Sequence, residues 1–138
     1  VTNVTVPKIS FYIGASFGAG NYGMCGYAFK ADFLFTWPNA KTGVMGGQQA
    51  ALTMKQVMVN AAKRRGKKLE PQALKKKLKE VTQQFDSQSD SFFTSGRLMD
   101  HGMIDPRDTR NVIGFCLTTC EEGRARKLKS NTFGIARM

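Results

Sequence analysis

Chemistry performed by backbone rather than side chains is the first possibility raised by this 138-residue sequence. Phe17-Gly18-Ala19-Gly20-Asn21-Tyr22-Gly23 follows a run of β-branched and aromatic residues, Ile9-Ser10-Phe11-Tyr12-Ile13, and precedes small and apolar residues. At a strand-to-helix junction, small residues let consecutive N–H groups, here those of Ala19 and Gly20, point the same way, and the helix dipole reinforces them. Fixed donors of this kind stabilise an oxyanion as it develops. The same glycines also suit a tight turn that only permits close packing, and spacing alone leaves both uses open. Gly18-x-Gly20-x-x-Gly23 matches the dinucleotide fingerprint in form. That use needs an acid at the end of the second strand, which here ends Trp37-Pro38-Asn39, with Asp32 placed before it. The turn also lacks the lysine of a phosphate-gripping loop.

Other reactive side chains are sparse. His101, between Asp100 and Gly102, is the one histidine and has no nucleophile near it in sequence, so it reads as a surface or structural residue. Cys25, Cys116 and Cys120 make an odd count without a disulfide framework, and with one histidine and no second cysteine pair a structural zinc site is not expected. Cys116 and Cys120, four apart on an expected helix, read as packed core, and the cysteine usage fits a reducing intracellular compartment. Arg97, Asp105, Asp108 and Arg110 read as ion pairs or interface contacts around the last helix.

The elements that must hold the glycine turn follow from periodicity. Ile9 to Ile13 is expected as a buried strand and Asn21 to about Phe29 as a close-packed helix. Phe33 to Trp37 is a second strand, Val44 to Gly47 a short extended piece and turn, and Gln48 to Ala62 a helix. Glu70-Pro71 opens another helix, whose Leu74, Leu78, Val81 and Phe85 recur on one face. Ser87 to Ser91 reads as a polar turn. Thr109 to Thr119 reads as a last helix with Val112, Ile113, Phe115, Cys116 and Leu117 on its apolar side, and the tail from Glu121 as irregular. Alternation of strand and helix predicts one α/β domain over 1–138, and a start without Met suggests a piece of a longer chain.

Net charge is +11, of which residues 62–138 carry seventeen bases and nine acids. Such a balance suits nucleic acid, an acidic membrane surface or a polyanionic cofactor. No apolar run approaches the roughly 20 residues of a membrane helix. The lysines at 75, 76, 77 and 79 leave the apolar face of their helix intact and lack interleaved aromatic stacking residues, which counts against nucleic acid.

The motifs also occur in a telling order. Gly18-Ala19-Gly20-Asn21-Tyr22-Gly23-Met24-Cys25-Gly26 is followed by Trp37-Pro38-Asn39-Ala40, Val44-Met45-Gly46-Gly47 and Arg97-Leu98. Gly102-Met103-Ile104-Asp105-Pro106, Asp108-Thr109-Arg110 and Phe133-Gly134-Ile135-Ala136-Arg137-Met138 complete the set. This series resembles the C-terminal half of the β subunits of biotin-dependent acyl-CoA carboxyltransferases, those acting on methylcrotonyl-CoA most closely. The resemblance implies a crotonase-like fold of stacked β-β-α units and a C-terminal domain of a two-domain subunit. It implies release of CO2 from carboxybiotin, proton removal by the biotin enolate and attack of the acyl-CoA carbanion on CO2. By position it places donors for the ureido oxygen on the N–H groups of Ala19 and Gly20. It places the cofactor's surroundings at Phe17, Gly18, Asn21, Met45, Gly46 and Gly47, with no metal. It further implies biotin carried by a biotin carboxylase/biotin carrier α subunit, a β hexamer, no membrane and the mitochondrial matrix.

Departures from the family pattern mark a divergent member. Tyr27 stands where the family usually has Arg, and Gln48 where it has Glu. Met99-Asp100-His101 replaces Trp-Asp before the late glycine, and Ala136 replaces Phe. The contrasting reading is a basic binding module, without chemistry, on the same scaffold, with nucleic acid or an acidic protein as its partner.

Overall fold

The computed structural model describes residues 1–66 and 70–128. Within them the chain builds the same unit twice. Strand β1 (Ile9–Tyr12) and strand β2 (Ala15–Phe17) lead directly into helix α1 (Gly18–Gly23). Strand β3 (Phe33–Thr36) and strand β4 (Lys41–Gly43) then lead into helix α2 (Gly47–Arg64). Equivalent strands pair in parallel. β1 lies on β3 with Ile9 opposite Phe33 and Tyr12 opposite Thr36, and β2 lies on β4 with Ala15 opposite Lys41 and Phe17 opposite Gly43. These are the stacked β-β-α units that the family resemblance implies, and Tyr12, Leu34 and Ala40 form the core beneath them.

Segment 101–104 adds a further rung to β3. Thr36 N–H donates to the Gly102 carbonyl and Ile104 N–H to the Thr36 carbonyl, at 3.2 and 3.0 Å. His101 closes the row twice: its N–H donates to the Leu34 carbonyl (2.8 Å), and its Nδ1 accepts from Leu34 N–H (2.9 Å). The ring also sits edge-on to Phe33 and Phe35. An imidazole nitrogen here replaces a backbone acceptor, so the histidine is structural.

Helix α3 (Pro71–Ser89), helix α4 (Ser91–Gly96) and helix α5 (Thr109–Ala125) complete the described chain. α3 packs along α2 through buried Val81 and half-buried Leu74, Leu78 and Phe85. The two run antiparallel, because the start of α2 meets the end of α3. A Cβ at Gly47 would lie 2.7 Å from the Thr82 carbonyl and 2.5 Å from Asp86 Oδ1.

The Trp37-Pro38-Asn39 turn ties the layers together. Trp37 Nε1 donates to Thr109 Oγ1 (3.0 Å), the Pro38 carbonyl accepts from Ser91 Oγ (2.6 Å), and Asn39 Nδ2 reaches the Ile13 carbonyl (3.2 Å).

Several sequence expectations need correction. The helix expected from Asn21 to Phe29 ends at Gly23. Gly26 N–H returns to the Asn21 carbonyl and Cys25 N–H to the Tyr22 carbonyl, a Schellman ending with Cys25 left-handed at φ 59°. A 3-10 turn, Tyr27–Phe29, follows. The extended piece expected at 44–47 lies earlier, as β4, and β2 was not foreseen. Ser87 to Ser91 is not a turn: α3 runs to Ser89, and Asp90 caps α4 by accepting from Phe92 N–H (2.9 Å). On α5, Cys116 is buried, but Phe115 and Leu117 are exposed, and the helix continues through Ala125. Motif residues 133–138 lie outside the described residues.

Replacing Gly47 with Ala should destabilise the chain by about 1–3 kcal/mol, because its methyl must displace the Thr82 carbonyl of the α3 backbone as well as the Asp86 side chain. Urea unfolding followed through Trp37 fluorescence measures this; an unchanged midpoint would show that the helices do not pack this closely.

Candidate functional site

Pairing β2 with β4 brings two strand ends, and the helix starts beyond them, side by side. Gly18 has a φ of +54°, and a Cβ there would lie 3.1 Å from the Val44 carbonyl, so the first turn lies directly on the second. A side chain on Gly43 would meet the Phe17 ring at 3.5 Å. Thus Phe17 to Gly20 and Met45 to Gly47, well separated in sequence, border one place.

Neither helix start is closed by a side chain. Phe17 caps α1 and Gly46 caps α2 in extended conformations, without side-chain cap hydrogen bonds and with no acid in either first turn. The leading N–H groups of each helix have no intrahelical acceptor. Ala19 and Gly20, in the first turn of α1, are exposed, and a Cβ on Gly20 would meet nothing within 4 Å. Phe17, Gly18, Met45 and Gly46 are half-buried around them.

Two residues expected at the cofactor do other work. Gly47 is buried against Thr82 and Asp86 of α3, so its role is close packing. Asn21 turns its side chain inward and is 4% exposed. Its Nδ2 lies 2.9 Å from Tyr12 Oη, 3.1 Å from Ser16 Oγ and 3.1 Å from Thr42 Oγ1. Tyr12 Oη also accepts from Tyr27 N–H (3.1 Å), and Thr42 Oγ1 donates to the Ser16 carbonyl (3.0 Å). Burial pushes the Tyr12 hydroxyl above its ordinary range, keeping it neutral within this knot. One amide therefore fastens α1 to β1, β2 and β4. Gly26 is required beside it, since a Cβ there would overlap Asn21 Oδ1 and come within 2.7 Å of Tyr12 Oη. The roles of Tyr12, Ser16 and Thr42 are not legible in sequence; the one available signal is an asparagine among small, apolar neighbours.

A cavity of about 330 Å³ adjoins the second turn, walled by Tyr27, Met45, Phe85, Phe93 and Met99. It reaches neither Ala19 nor Gly20. Arg97 borders it with its guanidinium 4.6 Å from the centre of the Phe93 ring. Of the charged residues expected around α5, Asp105 is paired, with its Oδ2 2.6 Å from Arg107 Nη2. Those hydrogen bonds hold its carboxyl down at about 2, and it also caps the 3-10 turn leading into α5.

Comparison with known proteins fits this geometry into a family. Residues 1–134 match the carboxyl transferase domain. The chain belongs to the carboxyl transferase family. It is 44% identical over 141 residues to the mitochondrial methylcrotonoyl-CoA carboxylase beta chain of Arabidopsis thaliana, covering all of this chain and 23% of the relative. It is 38% identical over 133 residues to the biotin-dependent 3-methylcrotonyl-coenzyme A carboxylase beta1 subunit of Mycobacterium tuberculosis, covering 96% of this chain and 25% of that one. The geranyl-CoA carboxylase beta subunit of P. aeruginosa superposes with a TM-score of 0.84 at 41% identity, over 99% of this chain and 25% of that chain. The β-β-α stack is thus the crotonase-like carboxyltransferase fold, and the chain spans about a quarter of the length of these relatives.

If Asn21 and Gly26 serve one knot, Asn21→Leu and Gly26→Ala should each cost about 2–3 kcal/mol. Their double variant should cost about 1 kcal/mol or more less than the sum. Additive losses in urea unfolding would show that the two positions act separately.

Proposed function

We propose that this chain supplies the backbone-donor half of a carboxyltransferase site, which moves a carboxyl group from carboxybiotin to an acyl-CoA. The observation that carries this reading is the pair of consecutive, exposed N–H positions at Ala19 and Gly20, uncapped by any side chain, in a chain of the carboxyl transferase family. The names of the relatives favour methylcrotonyl-CoA as the acyl substrate.

A ureido group fits the residues present. Its oxygen needs donors and no acid nearby; the first turn of α1 offers N–H groups, carries no acid and has open space above Gly20. When bound, carboxylated biotin supplies the CO2 and afterwards the base for the substrate proton. The chain's part is electrostatic. Ala19 and Gly20 N–H donate where negative charge gathers on the ureido oxygen, and the helix dipole adds to them. Gly18 sets the angle of the turn, Asn21 anchors it from below, and Phe17, Met45 and Gly46 border the group. No side-chain base is required of this chain. Biotin would arrive on a biotin carboxylase/biotin carrier α subunit, the acyl-CoA would be held mainly by other parts of the longer subunit, and the β subunits would form a hexamer. Mitochondrial relatives favour the mitochondrion, and its matrix, as the location.

Gly20 offers a clean test because its Cβ position is open. Gly20→Ala keeps the N–H, and the full-length subunit with its biotinylated partner should carboxylate acyl-CoA near the wild-type rate. Gly20→Pro removes the N–H and should lower kcat by about 100-fold or more. Near-normal turnover by a correctly folded Gly20→Pro subunit would overturn the backbone-donor assignment.

A further inference from the structure

Two departures from the family pattern, far apart in the chain, meet in space. Tyr27 stands in place of an arginine and Met99 in place of a tryptophan, and both line the cavity of about 330 Å³ beside the second turn. The first exchange takes a charge off the wall. The second takes away the bulk of an indole.

What remains suits an apolar guest. Tyr27, Met45, Phe85, Phe93 and Met99 offer aromatic and thioether surface, and methionine adapts its shape to what it meets. The buried hydroxyls along the cavity already spend their protons inside the protein: Thr42 donates to the Ser16 carbonyl, Ser89 to the Asp86 carbonyl and Thr94 to the Ser91 carbonyl. Arg97, the one charged residue on the border, holds its guanidinium over the Phe93 ring. At the roughly 30 Å³ that a water molecule takes in the liquid, the cavity has room for about ten non-hydrogen atoms. The five-carbon methylcrotonyl group would leave about half of that room unused.

The cavity also adjoins the donor turn. Gly43 and Val44 line it, and the same two residues meet the first turn. A Cβ on Gly43 would lie 3.5 Å from the Phe17 ring, and one on Gly18 3.1 Å from the Val44 carbonyl. An acyl carbon that takes up CO2 released at Ala19 and Gly20 therefore has this space nearby for the chain beyond the reacting carbon. We propose, on the basis of the carboxyl-transfer reading, that Tyr27 and Met99 set the acyl range of the site. The cavity between them receives the aliphatic tail of a branched acyl group longer than methylcrotonyl.

Isothermal titration of the full-length subunit, with its biotinylated partner, compares methylcrotonyl-CoA with 3-methyl-2-octenoyl-CoA, the same acyl group extended by four carbons. The longer acyl-CoA should bind about tenfold more tightly, since its added methylenes leave water. Met99→Trp, which restores the family's residue, should remove about tenfold of that preference. Gln88→Trp, which narrows the cavity from α3, should do the same, and Tyr27→Arg should lower the preference too. Phe92→Trp lies on α4 but off the cavity and should leave the preference unchanged. Thermal unfolding checks that each variant folds. Binding needs no carboxybiotin, so these ratios judge the cavity, while turnover of Gly20→Pro judges the donors separately. Equal binding of the two acyl-CoAs, tighter binding of the shorter one, or a long-chain preference that survives both Met99→Trp and Gln88→Trp would overturn the proposal.

Discussion

Asn21 carries a primary amide into a space closed by β1, β2, β4 and the turn at Gly26, and is 4% exposed there. A buried amide without partners costs on the order of 1–3 kcal/mol, so its hydroxyl partners are a condition of folding rather than an addition to it. Tyr12, Ser16 and Thr42 come from three strands, and Nδ2 lies within 3.1 Å of a hydroxyl on each. Fixing that one side chain fixes where α1 begins relative to β2 and β4. Gly18, with its left-handed φ and its close approach to the Val44 carbonyl, then has one place to go.

The functional reading follows from that constraint. Backbone donors are effective only when they are held before the charge appears, and α1 is six residues long, too short to hold its own direction. The Asn21 knot and the contact of Gly18 with the second turn supply the rigidity the helix lacks. Side chains around the site are then free to vary. Tyr27 and Gln48 stand where the family pattern has charged residues, and both lie outside the segment Phe17 to Gly20 that forms the turn.

What could be read from the sequence divides along the same line. β1, β3, α2 and α3 carry their own patterns, and the glycine turn was visible because glycine and alanine restrict what backbone can do there. β2 was invisible because Ala15-Ser16-Phe17 is a strand only through its pairing with Lys41 to Gly43, far along the chain. The early end of α1 depends on Cys25 taking a left-handed conformation usually given to glycine. The inward task of Asn21 is not legible in sequence, since its partners lie five, nine and 21 residues away. The same holds for Gly47: only the packing of α3 shows why it has no side chain.

The most direct measurement is a crystal structure of the full-length subunit soaked with biotin. The account predicts the ureido oxygen about 2.7–3.1 Å from the backbone nitrogens of both Ala19 and Gly20, with Asn21 still bonded inward. A ureido oxygen met by side chains, or by backbone elsewhere in the subunit, would contradict it.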